Sequence, residues 1–237
     1  MNLLFLTPQL PYPPHQGTAI RNWGLIKGLA ARHTVTLLSF AEPGQSADAP
    51  ELRAACQRIV TLPTPHRSRA ARLRTLLSPH PDLARRLWSP EFAQVLTNLL
   101  RHSTFDVMHL EGLEMAPYLL TVVSDHKPQS AIGNRQSVYD AHNAEHALQR
   151  RAFLTDVRQP ARWPAALYSW LQIPRLKKFE AEVCREASRV TCVSAEDAAA
   201  LQRLVPSLNP MIIPNGIDVE DYTQYTPPNT HYVTRAV

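Results

Sequence analysis

Two short runs, the first almost wholly apolar and the second rich in apolar and β-branched residues, open the chain with one amphipathic helix between them, and they restrict its fold more than anything that follows. Leu3-Leu4-Phe5-Leu6-Thr7 is stopped by Pro8, and Thr34-Val35-Thr36-Leu37-Leu38-Ser39-Phe40 comes next. Brief runs that are apolar at nearly every position belong to strands buried on both faces, the situation of a parallel sheet. Between them Ala19, Trp23, Ile26 and Ala30 recur at spacings of four, three and four, one face of a helix. Gly17-Thr18 opens that helix, with Thr18 as the expected N-cap. The first forty residues are a βαβ unit.

The alternation continues. Pro50 to Gln57 reads as a short helix and Arg58 to Leu62 as a third strand. Residues 66–102 are helical in character, but Pro79, Pro81 and Pro90 break them into pieces. Phe105 to Leu110 is a fourth strand ending at Glu111-Gly112, and a helix over Leu113–Leu120 leads to a fifth strand within Gln136–Ala141. The polar Ser130–Arg135 segment stays unassigned. Residues 143–156 are helical, and a long helical segment over 161–188 is interrupted by Pro164 and Pro174. Arg189 to Val193 is a sixth strand, Ala195 to Leu204 a helix, and Met211-Ile212-Ile213 a seventh strand. This order gives an α/β fold, a Rossmann-like open parallel sheet of about seven strands with helices on both faces. One domain covers 1–218, and the polar residues 219–237 read as a linker or tail.

A hydrophobic content of 44% and a charged content of 19% exclude a disordered chain. A net charge of +5 and a pI near 9.3 favour anionic partners such as phosphorylated small molecules, nucleic acid or acidic membrane surfaces. Cys56, Cys184 and Cys192 are odd in number and lie in apolar contexts, as expected for reduced thiols in a cytoplasmic protein. They lack metal-ligand spacing. No stretch approaches the ~18 apolar residues of a membrane span.

In open α/β sheets ligands bind outside the carboxyl ends of the strands. The loop after the first strand holds only Gly17, inside Pro-Pro-His-Gln-Gly-Thr, which excludes a Gly-x-Gly-x-x-Gly dinucleotide fingerprint; the Walker lysine is missing too. Gly17 at a helix start, with Arg21 one turn in, is either a modest anion site or a simple turn. The fifth strand ends in Asp140-Ala141-His142-Asn143-Ala144-Glu145. His142 there could serve as a base or a polarising acid, oriented by Glu145 if the helix begins at Asn143. The plainer reading has Asn143 capping the helix and His142 satisfying a nearby carbonyl. Glu111 ends strand four. Ser194 ends strand six and suits a helix N-cap better than a nucleophile, since no Gly-x-Ser-x-Gly elbow surrounds it. The three strand ends share one rim. The Arg-rich stretch His66–Arg74, with Leu73, Leu76 and Leu77, is either a solvated face or a basic amphipathic helix for an anionic membrane over 66–77. Aromatic residues do not interleave with its arginines, which argues against nucleic acid.

Read together, these pieces resemble the N-terminal domain of a GT-B glycosyltransferase of the retaining "group 1" class, family 4. The resemblance is carried by Leu4-Phe5-Leu6-Thr7 with Pro11-Tyr12-Pro13-Pro14, then Gly17 and Arg21. Asp140 to Glu145 and Val190-Thr191-Cys192-Val193-Ser194 continue it, and Ile212-Ile213-Pro214-Asn215-Gly216-Ile217-Asp218 closes it. It implies one half of a GT-B fold, the half that binds a saccharide or glycolipid acceptor, facing a second domain for a nucleotide-sugar. It further implies transfer with retention in cell-surface polysaccharide assembly, with the nucleotide-sugar as co-substrate and no metal or other cofactor. By position His142 resembles the family's active-site histidine. Gly17, with Thr18 and Arg21, resembles the loop near the donor phosphates, Glu111 and Asn143 would line the acceptor side, and Glu145 and Ser194 fall along the same rim. The family often has two glycines where this chain has Gln16-Gly17. Its Glu-x7-Glu donor signature, which lies in the second domain, is not reached before Val237. The expectation is therefore half an enzyme, inactive alone, in the cytoplasm or peripheral on the inner face of the membrane. The alternative is a non-catalytic binding module derived from such an enzyme.

Overall fold

The computed structural model describes residues 1–68, 75, 78–124 and 136–216. The strands are β1 (Asn2–Thr7), β2 (Thr34–Ala41), β3 (Arg58–Pro63), β4 (Val107–Glu111), β5 (Gln136–Ala141), β6 (Arg189–Cys192) and β7 (Met211–Ile212). Eight α-helices are described: α1 (Gly17–Ala30), α2 (Pro50–Ala55), α3 (Asp82–Arg86), α4 (Pro90–His102), α5 (Ala116–Ser124), α6 (Glu145–Asp156), α7 (Trp163–Glu186) and α8 (Ala195–Leu204). A 3₁₀ turn, Pro160–Arg162, joins α6 to α7.

All six strand pairings are parallel, in the order β3-β2-β1-β4-β5-β6-β7. From β1 the chain winds outward through β2 to β3, then returns to lay β4 on the other side of β1. The switch point between β1 and β4 is where such sheets open a crevice.

Successive residues of β1 point to opposite faces, so the sheet carries two cores. Leu3 and Phe5 pack with Val35 and Leu37 beneath α1 and α2. Leu4 and Leu6 join Leu38 and Phe40 under the remaining helices. On that second face Phe40, Phe92 and Tyr118 form a chain of rings with centroids 4.5 and 4.4 Å apart. The Tyr118 hydroxyl donates to Leu87 O at 2.6 Å and accepts from Ser89 N at 2.9 Å, which satisfies it inside the core.

Several expected boundaries move. Gln16, not Thr18, is the N-cap of α1, and no side chain caps it. Ala144, not Asn143, precedes α6. Strand β4 begins at Val107, two residues after Phe105. The segment expected to break at Pro164 and Pro174 is one helix of 24 residues. Pro164 sits in the first turn, where a missing N–H costs nothing. Pro174 lies on the exposed side of α7, where water can serve the carbonyl that its missing N–H abandons. Most of the basic stretch over 66–77, the Ser130–Arg135 segment and the 219–237 tail lie outside the described residues.

Candidate active site

The carboxyl ends of β1 to β5 surround an open cleft of about 1130 Å³. Pro8 and Gln9 enter it after β1, Glu42 after β2, Thr64 to Arg67 after β3, Glu111 to Glu114 after β4, and His142, Asn143 and Glu145 after β5. The first turn of α1, Gln16 and Thr18, closes one side, and Tyr168 of α7 stands on another.

At the floor His142 meets Glu111. The His142 Nε2 atom lies 2.8 Å from Glu111 Oε2. A carboxylate only accepts, so Nε2 carries the proton. The other ring nitrogen, Nδ1, lies near Gly112, 3.9 Å from where a Cβ on that glycine would be. Gly112 turns the chain out of β4 with φ +78°, a conformation other residues adopt at a cost.

Glu111 has no exposed surface, and alternation along β4 puts His109 on its face. His109 Nε2 is 2.9 Å from Glu111 Oε1, on the side of the carboxylate away from His142 Nε2. The Asn22 amide, with its nitrogen turned inward, donates to Glu111 Oε2 at 2.7 Å and to Thr18 O at 3.1 Å. Burial pushes the Glu111 carboxyl up, but His109 and His142 outweigh it and hold its pKa at about 2. Burial likewise opposes the His142 cation. The hydrogen bond and charge of Glu111, helped by Asp140, overcome it, so the His142 pKa is raised from 6.5.

Arg21 reaches under α1 to Asp140, one strand over from Glu111. Its Nε and Nη2 each donate to that carboxylate at 2.8 Å, a bidentate pair buried on both sides. Thr191 of β6 donates to Asp140 Oδ1 at 2.6 Å. The remaining nitrogen, Nη1, donates to Ile213 O at 3.0 Å and to Asn215 Oδ1 at 3.1 Å. Burial would drain the guanidinium of charge, but Asp140 and Glu111 hold its pKa above the usual value. Arg21 is therefore a positioning residue that ties α1, β5 and the turn after β7 together.

Behind His142, α6 begins without a cap of its own. Glu180 of α7 supplies one from outside: its oxygens accept from Glu145 N at 2.8 Å and His146 N at 3.2 Å, and also pair with the His146 ring. Asp197 of α8 accepts from Ala144 N at 2.9 Å. Asn143 donates to Glu145 at 3.3 Å. Burial, with the charges of Glu180 and Glu114, raises the Glu145 pKa.

His109, Glu111 and Asp140 bring three ligand-type atoms within 4.8 Å of one another, the grouping closest to a metal site among the described residues. Arg21 already holds Asp140 through two hydrogen bonds, and His142 and Asn22 occupy Glu111. An ion would have to displace a guanidinium, so the donor set suits Arg21 better than a metal.

Five of the eight residues singled out in the sequence, Thr18, Glu111, His142, Asn143 and Glu145, line the cleft. Gly17 lies between two lining positions; its φ is ordinary and nothing stands within 4 Å of a Cβ placed on it. Arg21 turns inward, away from the cleft. Ser194 spends its hydroxyl capping α8, accepting from Asp197 N at 3.1 Å. The carboxylate that orients His142 is Glu111, not Glu145. Sequence reasoning missed His109, Asn22 and Glu180. His109 and Glu111 sit at i and i+2 on a strand, and Glu180 is a charge on the apolar face formed by Leu176, Phe179 and Val183; both patterns were there to be read.

Comparisons with known proteins bear on the family and the fold. The family described as Glycosyltransferase Family 4 matches residues 16–221. No curated protein sequence matches the chain. Among solved structures, sucrose-phosphate synthase from Thermosynechococcus elongatus is similar with a TM-score of 0.60 at 14% identity, over 93% of this chain and 49% of that one. A Phytolacca americana structure, UGT2 complexed with UDP-2fluoro-glucose and pterostilbene, is similar with a TM-score of 0.51 at 13% identity, over 91% of this chain and 54% of that one. The chain thus spans about half the length of these two proteins, and at such identities the likeness is one of fold. With a family match over most of its length, the chain belongs to glycosyltransferase family 4.

Proposed function

We propose that this chain is the acceptor-side half of a retaining glycosyltransferase that moves a sugar from a nucleotide-sugar to a saccharide or glycolipid acceptor in cell-surface polysaccharide assembly. The observation that carries the reading is the Glu111–His142 pair, which opens onto the cleft at the switch point of the sheet. Glu111 is fully buried and cannot reach a sugar, so it positions and charges the histidine. With a raised pKa, His142 favours the imidazolium, and in this reading its Nδ1–H serves as the donor to the cleft that His142 lines. Such a donor stabilises negative charge that builds on sugar or phosphate oxygens as the bond to the nucleotide breaks. In transfer with retention the acceptor oxygen bonds to the face that the phosphate leaves. The acceptor's proton passes to that departing phosphate, so no protein base is required.

The uncapped start of α1, with open space beside Gly17 and with Thr18 lining the cleft, suits donor phosphate oxygens. Glu111 holds His142 at the floor while Asn143 and Glu145 face the acceptor. The nucleotide-sugar serves as co-substrate with no metal, in keeping with an acidic cluster already neutralised by Arg21. The UDP-sugar and second ligand named for the Phytolacca americana structure support a cleft that takes a donor and an acceptor together. Three buried free cysteines support a cytoplasmic setting.

The test is sugar transfer from a panel of nucleotide-sugars by the polypeptide that carries this chain together with a donor-binding half. His142→Ala should lower kcat by about a hundredfold or more while the melting temperature moves little. Loss of folding with no specific loss of rate would leave His142 a structural residue and remove the reading. The 237-residue chain alone should show no transfer; unaided turnover by it would overturn the division of labour.

A further inference from the structure

Helix α7 presents an apolar stripe to solvent. Trp163, Leu167, Trp170 and Pro174 recur at spacings of four, three and four, one face of the helix. That face is not turned inward: Trp163 is 60% exposed, and Leu167 and Trp170 are each 58% exposed. The opposite face, through Ala166, Ser169, Leu176 and Phe179, is the one that packs on the protein.

Charge brackets the stripe. Between residues 148 and 178 the chain has seven cations and one carboxylate, Asp156, which is buried and paired with Arg162 at 2.8 Å. Six of the seven, Arg150, Arg151, Arg158, Arg162, Lys177 and Lys178, are exposed. Since the whole chain carries only +5, this hairpin accounts for all of its excess. Arg158 and Arg162 precede the stripe. Lys177 and Lys178 continue its face one turn beyond Pro174, at i+7 from Trp170 and i+4 from Pro174. The Trp163 indole is fastened to Val157 O at 3.3 Å, over the turn from α6.

We propose that the outer face of α7 docks on an anionic lipid bilayer. Exposed tryptophans between long cationic side chains are what an interfacial helix offers, with rings at headgroup depth and charges at lipid phosphates. A second copy fits the surface poorly, because the same cations would face each other. No helix among the described residues is long and apolar enough to cross a membrane, so the contact is interfacial. The surface differs from the basic stretch 66–77. Arg67, described in that stretch, is largely buried and donates to Asp82 at 2.7 Å.

Flotation of the full chain with vesicles tests this without any assay of transfer. Binding to phosphatidylcholine vesicles containing phosphatidylglycerol should exceed binding to phosphatidylcholine alone, and should weaken as salt rises. Tryptophan emission should shift to the blue, since two of the four tryptophans lie on the stripe. Replacing Trp163, Leu167 and Trp170 together by Ser should cut binding about tenfold or more. The thermal melt should hold, because these side chains are exposed. Lys177→Glu with Lys178→Glu, which leaves the stripe intact, should cut binding to the anionic vesicles as well. Equal binding to neutral vesicles, binding indifferent to both variants, or self-association lost in the triple variant would each overturn the proposal. So would binding abolished only by substitutions within 66–77.

Discussion

The floor of the cleft depends on one carboxylate shared between two imidazoles. The folded-state pKa of His142 lies above its ordinary 6.5, so its pairing stabilises fully below that value and is lost as the pH rises through the raised one. Glu111 is shifted the other way, from 4.5 to about 2, so its contribution is present above 4.5 and lost as the pH falls through about 2. The pair therefore contributes most between about 4.5 and 6.5, and it should add an alkaline decline to the melting temperature. Glu111→Gln keeps an acceptor near His142 but removes the charge. It should cost about 2 kcal/mol, lower the His142 pKa as burial takes over, and flatten the alkaline decline. An NMR titration of the His142 ring beside pH-dependent melts measures both. A His142 that titrates at an unchanged pH in this variant would show that Glu111 is not what charges it.

At the scale of elements, the best-placed helix end is one the sequence does not cap. Helix α6 follows Ala144, which has no side-chain oxygen, yet its first amides meet carboxylates from α7 and α8. Local chemistry made Asn143 the candidate cap; the true partner, Glu180, lies 35 residues beyond Glu145, and only the folded hairpin brings it there. Glu180→Ala should leave two helix amides and the buried His146 ring without their acceptor, at a cost of about 3 kcal/mol. A lower urea midpoint at unchanged slope would report it, and hydrogen exchange should speed up in the first turn of α6. Glu180→Gln, which keeps one acceptor, should fall between. Exchange unchanged in that turn would mean that α6 is held by packing alone. By contrast the Ser194 cap of α8 was legible, because Ser194 and Asp197 lie three residues apart and cap within one turn.

At the scale of the molecule, the inner strands β1 and β2 could be read from their apolar runs, since burial on both faces leaves a local mark, whereas the edge strands β3 and β7 are largely exposed. The order of the strands could not be read, because nothing in a strand's own residues names its neighbour. The site was half legible for the same reason: His142 stood out at a strand end, while its partner Glu111 is 31 residues away and reaches it only through the β4–β5 register. Arg21 is the extreme case. Its place one turn into a helix after Gly17 left a modest anion site or a simple turn open, yet it bonds Asp140, 119 residues on, and Ile213, 192 residues on. This residue joins the first helix to the turn that follows β7. A chain ending at Pro210 would lose β7 and the acceptors of Arg21 Nη1, leaving a buried cationic nitrogen unpaired, at about 3 kcal/mol. Arg21→Lys keeps a charge but cannot span Asp140 and the 213–215 turn together, and it should cost a similar amount. If the clasp is one unit, the two changes combined should cost clearly less than the sum of each alone. Urea unfolding of the four chains measures that coupling, and strictly additive costs would mean that the last turn and Arg21 stabilise the sheet independently.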